Sequence, residues 1–123
     1  MSLTMNDQPS EQSRSKAERV KQRLLEFLRN YSHAHAPVKS YRIQQTLHVS
    51  DIVVRQAIGK LRDDGHAIAS GKSGFFLARN GIELQDTIDN ITDRIGAMSR
   101  RRQLLLKAQD RLIQEADGQL TLI

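Results

Sequence analysis

A change of pattern at Gly65 constrains the fold of this chain more than any other feature. Before this glycine the apolar residues recur at helical spacing, whereas after it two short apolar runs, HAIAS and FFLAR, flank the loop GKSG. Apolar runs on either side of a loop that contains Gly and Ser predict a β-hairpin. Because glycine commonly ends a helix, the hairpin is expected to follow a helix directly.

A first helix is predicted to begin at Ser15, because Ser15 and Glu18 have the spacing of a capping box. Its apolar face has helical spacing and consists of Val20, Leu24, Phe27, Leu28 and Tyr31. The next segment, SHAHAPVK, contains Pro37 and is expected to form a connecting loop.

Ser40 and Ser50 are each placed to cap a short helix, and the tight turn LHVS between these helices is typical of a helix-turn-helix. The second helix turns Ile43 and Leu47 inward. The third is expected to bury Ile52, Val54, Ala57, Ile58 and Leu61 and to turn outward Asp51, Val53, Arg55, Gln56, Gly59 and Lys60. The hairpin would be the wing, tied to the core by Ile68, Phe75 and Leu77.

A long helix is predicted from about Ile82 to Ala116, capped by Asn80 and Glu83 and ended by Gly118. Its apolar residues follow a seven-residue repeat, which is typical of a coiled coil. The predicted dimerisation residues are Leu84, Ile88, Ile91, Ile95, Met98, Leu105 and Leu112. Arg102, Gln109 and Ala116 interrupt the second half of this seam, and Gly96 leaves a kink or a helical hairpin open.

The expected fold class is therefore mainly α with a small β-hairpin: a winged helix-turn-helix followed by a long C-terminal helix. Residues 1–14 are predicted to be a disordered leader, 15–80 the winged domain, 81–118 the helix and 119–123 a frayed tail. No apolar run approaches the roughly 20 residues that span a bilayer, and with no cysteine nothing suggests an oxidising compartment. We expect a cytoplasmic protein.

The positive charge is concentrated in the predicted winged domain. Of the formal net charge of +5, residues 15–80 contribute +7, with twelve Lys and Arg against five Asp and Glu, and the two flanking regions contribute −1 each. A local basic surplus is typical of a protein that binds nucleic acid. The four histidines match no common metal spacing, and no catalytic or nucleotide-binding motif is present. We therefore expect neither an enzyme nor a bound cofactor or metal.

The stretch from Leu47 to Leu77 resembles the N-terminal DNA-binding domain of the biotin repressor family and, more loosely, that of GntR-type regulators. The residues that carry the resemblance are Leu47, Val49 and Ser50; Val54, Arg55, Ala57, Ile58 and Leu61; Asp63, Asp64 and Gly65; and Gly74, Phe75 and Leu77. The resemblance implies a winged domain over about half of the chain, residues 15–80, and double-stranded DNA as its partner. A long helix after such a domain is also similar to small phage or prophage DNA-binding proteins. The sequence departs from the pattern at His48, where glycine is usual, and at Asp51, Ile52 and Val53, where Arg or Thr is frequent.

The candidate DNA contacts lie on the second and third helices and the wing. They are Lys39, Ser40, Tyr41, Arg42, Ser50, Arg55, Gln56, Lys60 and Lys72. Glutamine can pair with adenine through both its amide groups, which makes Gln56 the best candidate for reading a base. Arg55 could bond guanine or phosphate, or it could pair with a carboxylate of its own domain. Lys72, in a loop of Gly and Ser, could approach the backbone or the minor groove.

The run Arg100, Arg101 and Arg102 could contact phosphate, but it more simply complements acids. Residues 83–99 carry a net charge of −3 and residues 100–117 a net charge of +2, so two antiparallel copies of the helix would place opposite charges side by side. A homodimer is therefore predicted, and a helix folded back on its own winged domain is the alternative. The predicted function is a transcriptional regulator. The alternatives are a protein-interaction module and a phage or plasmid replication or partition factor.

Overall fold

The computed structural model describes residues 11–122, and side chains over 15–119. The chain divides into two compact units, residues 1–87 and 88–123. In chain order the elements are α1 (Glu11–Tyr31), α2 (Ser40–Leu47), α3 (Asp51–Asp63), β1 (Ile68–Gly71), β2 (Gly74–Leu77) and α4 (Gly81–Leu122). This confirms the mainly helical winged helix-turn-helix with a small hairpin and a long C-terminal helix. None of the helices in the described residues is both long and apolar enough to cross a bilayer.

Helix α1 begins earlier than the capping box predicts. It starts at Glu11, so Ser15 lies inside the helix and the predicted start there is wrong. The predicted leader 1–14 therefore overlaps α1 at 11–14, and its first ten residues lie outside the described part of the chain. Val20, Leu24, Phe27 and Leu28 are buried as expected. Tyr31, the last residue of α1, is not buried: it is 60% exposed.

The first-unit core packs α1, α2 and α3 against the hairpin. Ile43 and Leu47 from α2 are buried, and Val54, Ala57, Ile58 and Leu61 from α3 join them. Ile68 and Phe75 from the wing are buried in the same cluster, and Leu77 packs against it. These predictions are confirmed. The prediction that Ile52 is buried and Val53 outward is wrong: Ile52 is 68% exposed, whereas Val53 packs partly against the core.

Helix α3 ends as the glycine at position 65 requires. Gly65 has a φ of +95°, a left-handed conformation that glycine adopts without a steric penalty. The Gly65 amide donates to the Arg62 carbonyl at 2.9 Å and the His66 amide donates to the Leu61 carbonyl at 3.0 Å. Carbonyls at the helix end are thus satisfied. At the end of α2, His48 takes the same left-handed role with a φ of 56°, although it is not glycine.

The wing is an antiparallel pair in which Ile68 faces Leu77 and Gly71 faces Gly74, with Lys72 and Ser73 at the tip. Val38, in the loop before α2, pairs with Phe75 in both directions at 2.8 Å. Val38 is only 2% exposed, so this loop supplies a core residue that the sequence analysis did not identify. The hairpin is therefore fixed to the chain segment that enters α2.

Two buried hydroxyls hold the wing in place. The Ser32 hydroxyl donates to the Leu28 carbonyl at 2.6 Å and accepts from the Leu77 amide at 3.1 Å. The Thr87 hydroxyl accepts from the Ser70 amide at 3.0 Å and donates to the Ser70 carbonyl at 3.3 Å. Both side chains are thus satisfied without water, and the wing cannot swing freely without breaking these bonds.

Helix α4 is capped as predicted. The Glu83 amide donates to the Asn80 side-chain oxygen at 3.0 Å, and the Glu83 carboxylate accepts from the Arg79 amide at 2.9 Å. The helix continues without a break through Gly96, so the alternative of a helical hairpin at that glycine is wrong. It also continues through Gly118 to Leu122. The predicted end at Gly118 and the frayed tail 119–123 are therefore wrong up to Leu122, and Ile123 lies outside the described residues.

Candidate nucleic-acid interface

Helix α3 presents an exposed face opposite its buried one. The buried residues Val54, Ala57, Ile58 and Leu61 recur at the three- and four-residue spacing that keeps side chains on one face,. The exposed residues of α3 before its last residue, Asp63, are Ile52, Arg55, Gln56, Gly59 and Lys60. This outward face contains most of the third-helix residues that the sequence analysis assigned to DNA contact.

Gln56 and Lys60 are exposed, and neither side chain makes a hydrogen bond or ion pair with any residue that the structure describes. An amide carries two donors and an acceptor, and an ammonium carries three donors. Both groups are therefore available to a partner outside the domain. They lie four residues apart, hence on neighbouring positions of the same helix surface.

Arg55 pairs with Asp51 of its own helix. Its Nε donates to Oδ2 of Asp51 at 2.8 Å, so the structure bears out the carboxylate pairing of Arg55 that the sequence left open. The Ser40 hydroxyl donates to the other Asp51 oxygen. The Ser40 bond first, and then the Arg55 bond, hold the pKa of Asp51 below its usual value. The Asp51 carboxylate thus joins the start of α2 to the first turn of α3.

This pairing corrects the role of Ser40. Ser40 is the first residue of α2, not its N-cap; Lys39 occupies the cap position and makes no side-chain cap bond. The Ser40 hydroxyl instead donates to Asp51, and it accepts from the side-chain Nε2 of Gln44 at 3.1 Å. Ser50 does cap α3, because its hydroxyl accepts from the Val53 amide at 3.3 Å. Both serines are thus engaged within the domain.

The remaining candidates lie at the start of α2 and at the wing tip. Tyr41 is 65% exposed at the start of α2. Arg42, also exposed, holds its guanidinium carbon 5.7 Å from the centre of the Phe27 ring, within the range of a cation–π contact. Lys39 and Lys72 are exposed and make no ion pair within the described residues. All nine candidate residues belong to the first unit, residues 1–87.

Two further basic residues of this unit have structural partners. Lys21 Nζ donates to Asp64 Oδ2 at 2.8 Å, and this hydrogen bond raises the pKa of Lys21 and lowers that of Asp64. Arg62 Nε donates to the Ile68 carbonyl at 2.9 Å, and its Nη2 donates to the Ser70 hydroxyl at 3.1 Å. These residues join α1 to the end of α3 and α3 to the wing.

One exposed residue of this face was assigned to the core by sequence. Ile52 lies two positions before the buried Val54, which at about 100° per residue places it roughly 160° away from that residue around the helix. A strict count of helical angles would have found it. Residue type, an isoleucine near other apolar residues, suggested burial instead.

No group of three or more His, Asp or Glu side chains within the described residues is arranged to hold a metal ion. Compared with family models, with curated proteins and with solved structures, the chain matches none of them.

Proposed function

We propose that the chain binds double-stranded DNA, with α3 in the major groove and the wing on the backbone or in the minor groove, and that it acts as a transcriptional regulator. The observation that carries the proposal is the outward face of α3, where Gln56 and Lys60 are exposed and without partners among the described residues. An outward helix in a helix-turn-helix is the element that reads base edges.

Charge supports the same partner. Residues 15–80 carry a net charge of +7, and four of the basic side chains in this unit, those of Lys21, Arg55, Arg62 and Arg79, donate hydrogen bonds within it. Lys39, Lys60 and Lys72 are exposed, at the N-cap of α2, on α3 and at the wing tip respectively. Lysines placed beside a reading helix bind phosphate and set its register on the duplex.

The Asp51 carboxylate, which by charge alone would oppose a phosphate, is already engaged. It accepts one bond from Ser40 and one from Arg55, so part of its charge is compensated inside the domain. Arg55 is in turn less available for contact with DNA, because its Nε is committed to the bond with Asp51. We therefore assign base reading to Gln56, and phosphate contact to Lys60 and Lys72.

We further propose that the protein is a homodimer through α4. In the second unit, the predicted seam residues Ile88, Ile91, Ile95, Met98, Leu105 and Leu112 are all exposed. Leu106 and Ile113, which the heptad assignment omitted, are exposed as well. A second copy laid antiparallel would cover this apolar stripe and match the acidic half of the helix, 83–99, with the basic half, 100–117.

A protein-interaction module is the second candidate function, and the exposed apolar side chains of α4, such as Ile95 and Leu105, are the observation that favours it. The two candidates differ in whether the chain recognises DNA or a protein. Selection from a library of random duplexes with the full chain separates them, because DNA binding predicts an enriched sequence. Recovery of no duplex above background would favour protein docking.

Two variants test the assignment of roles on the selected duplex. Gln56→Ala should lower the ratio of affinities for selected over random duplex by about fivefold or more, since a good bidentate contact to a base is worth about 1–3 kcal/mol. Lys72→Ala should weaken binding to both duplexes by the same factor. Equal, sequence-independent losses for both variants would contradict the assignment of base reading to Gln56.

A further inference from the structure

Helix α3 carries an apolar side chain, that of Ile52, which is exposed and does not belong to the core of the domain. Ile52 is 68% exposed in the first turn of α3. Its neighbour Val53 packs partly against the core, but Ile52 is not among the residues of that cluster. An exposed isoleucine alone is ordinary, so its meaning depends on what surrounds it.

A glycine, Gly59, lies on the same face of α3, and neither packing nor backbone conformation within the domain requires a glycine there. Gly59 is exposed in the middle of α3, and a Cβ added to it would meet nothing within 4 Å. Its φ is not in the left-handed range, so the backbone does not require glycine either. Glycine in a helix interior costs about 1 kcal/mol relative to alanine. What glycine does provide is close approach of a partner to the helix backbone.

Ile52, Gln56 and Gly59 form one line along α3, because they are separated by four and then three residues. The exposed Arg55 and Lys60 flank this line. A protein-docking centre clusters several large apolar anchors in a desolvated patch, and the outward face of α3, with Ile52 as its one large apolar side chain, does not match that arrangement. It does match the major groove, where the only apolar group on a base edge is the C5-methyl of thymine.

We propose that Ile52 contacts a thymine C5-methyl group in the major groove, and that Gly59 leaves the space that lets α3 approach the bases closely. This inference rests on the proposed function and deepens it. It assigns the recognised sequence a thymine within reach of the first turn of α3, beside the base that Gln56 reads.

The test uses the full chain and the duplex obtained by selection. Each thymine is replaced in turn by deoxyuridine, which removes the methyl and leaves the base-pairing groups unchanged. For the wild-type chain, we expect one or two positions at which the affinity falls about fourfold, the loss expected for one methyl-sized apolar group. Ile52→Ala should bind the thymine and deoxyuridine duplexes equally at those positions, and Ile52→Val should retain the discrimination.

Ile82→Ala is the matched control, since Ile82 is an isoleucine of the same unit and is 87% exposed. This variant should discriminate as the wild type does. Gly59→Ala should raise the melting temperature and yet weaken binding to the selected duplex several-fold, a combination that a fold defect cannot produce.

The outcomes separate the inference from the proposed function. If a duplex is selected and bound, but no deoxyuridine position matters or Ile52→Ala still discriminates, the methyl contact is wrong and DNA binding stands. If Ile52→Ala binds every duplex with the affinity of the wild type, the methyl contact is also wrong, and a protein is then the expected partner of Ile52. If no duplex is bound at all, both proposals fail together.

Discussion

Arg55 Nε lies 2.8 Å from Oδ2 of Asp51, one turn earlier on α3. Both residues lie in the N-terminal half of α3, and the Ser40 hydroxyl donates to the other oxygen of the Asp51 carboxylate. The Asp51 carboxylate, whose charge would repel a DNA phosphate, is therefore bonded within the domain, and the Nε of Arg55 is committed to that bond.

Removing that carboxylate should strengthen non-specific binding to DNA. Asp51→Ala releases the Arg55 guanidinium and deletes one negative charge that would repel a phosphate. The affinity for a random duplex should rise by a few-fold, measured by fluorescence anisotropy. Asp63→Ala, at the other end of α3, is the control and should change it less. A loss of affinity in Asp51→Ala would mean that the pair positions Arg55 for contact.

The free energy of unfolding should depend on pH through the contact between α1 and α3. Lys21 lowers the pKa of Asp64 from the ordinary value of 3.8, so this carboxylate contributes stability above that value and loses it as the pH falls through the folded-state pKa. Urea unfolding at pH 6 and pH 3 should show the loss, and Asp64→Asn should show a smaller one. Asp63→Asn is the neighbouring control and should lose as much unfolding free energy between pH 6 and pH 3 as the wild type. If Asp64→Asn also lost as much as the wild type, the assignment of the pH dependence to Asp64 would be contradicted.

Gly74 should be far less replaceable than Gly71, its partner across the hairpin. A Cβ at Gly74 would collide with the Val38 carbonyl and lie 2.8 Å from the Lys39 amide nitrogen, and the residue has a φ of +126°. Gly74→Ala should cost about 1–3 kcal/mol of unfolding free energy, the range for a strained backbone. Gly71→Ala meets nothing within 4 Å and should cost less. Similar melting temperatures for the two variants would refute the close contact with Val38.

The dimer can be tested with two substitutions of equal exposure. Ile95 and Leu104 are both 64% exposed on α4, but Ile95 belongs to the apolar stripe and Leu104 lies on a different face. Ile95→Glu should give a 14.0 kDa species in sedimentation at micromolar concentration, where the wild type and Leu104→Glu should sediment as dimers. A wild-type chain that sediments only as the 14.0 kDa species would rule the dimer out.

The elements of the first unit could be predicted from the sequence because the residues that begin and end each element lie close together in the chain. Ser50 caps α3 and Gly65 ends it, and these depend on a few neighbouring residues only. The start of α1 was misplaced because a helix that continues upstream leaves no need for the Ser15 cap. Likewise α4 passes through Gly118, since one glycine weakens a helix without necessarily ending it.

The errors at the candidate site have a different cause, which is contact between distant segments. The Ser40 hydroxyl is held by Asp51, eleven residues away, and no local rule weighs that bond against capping. Val38 is buried because it pairs with Phe75 of the wing, a partner 37 positions later in the chain. The exposure of Ile52 and the partial burial of Val53 could have been predicted from the sequence, because the angle of each residue around the helix distinguishes them.

The dependence of duplex affinity on salt tests the central claim most directly. Each neutralised phosphate releases counterions, so the logarithm of the association constant should fall linearly with that of the salt concentration, with a slope of about −0.9 per contact. For the full chain on the selected duplex between about 50 and 200 mM salt, we predict a steep slope of several contacts, reduced by about one in Lys72→Ala. A flat profile, or no binding near 50 mM salt, would contradict DNA binding.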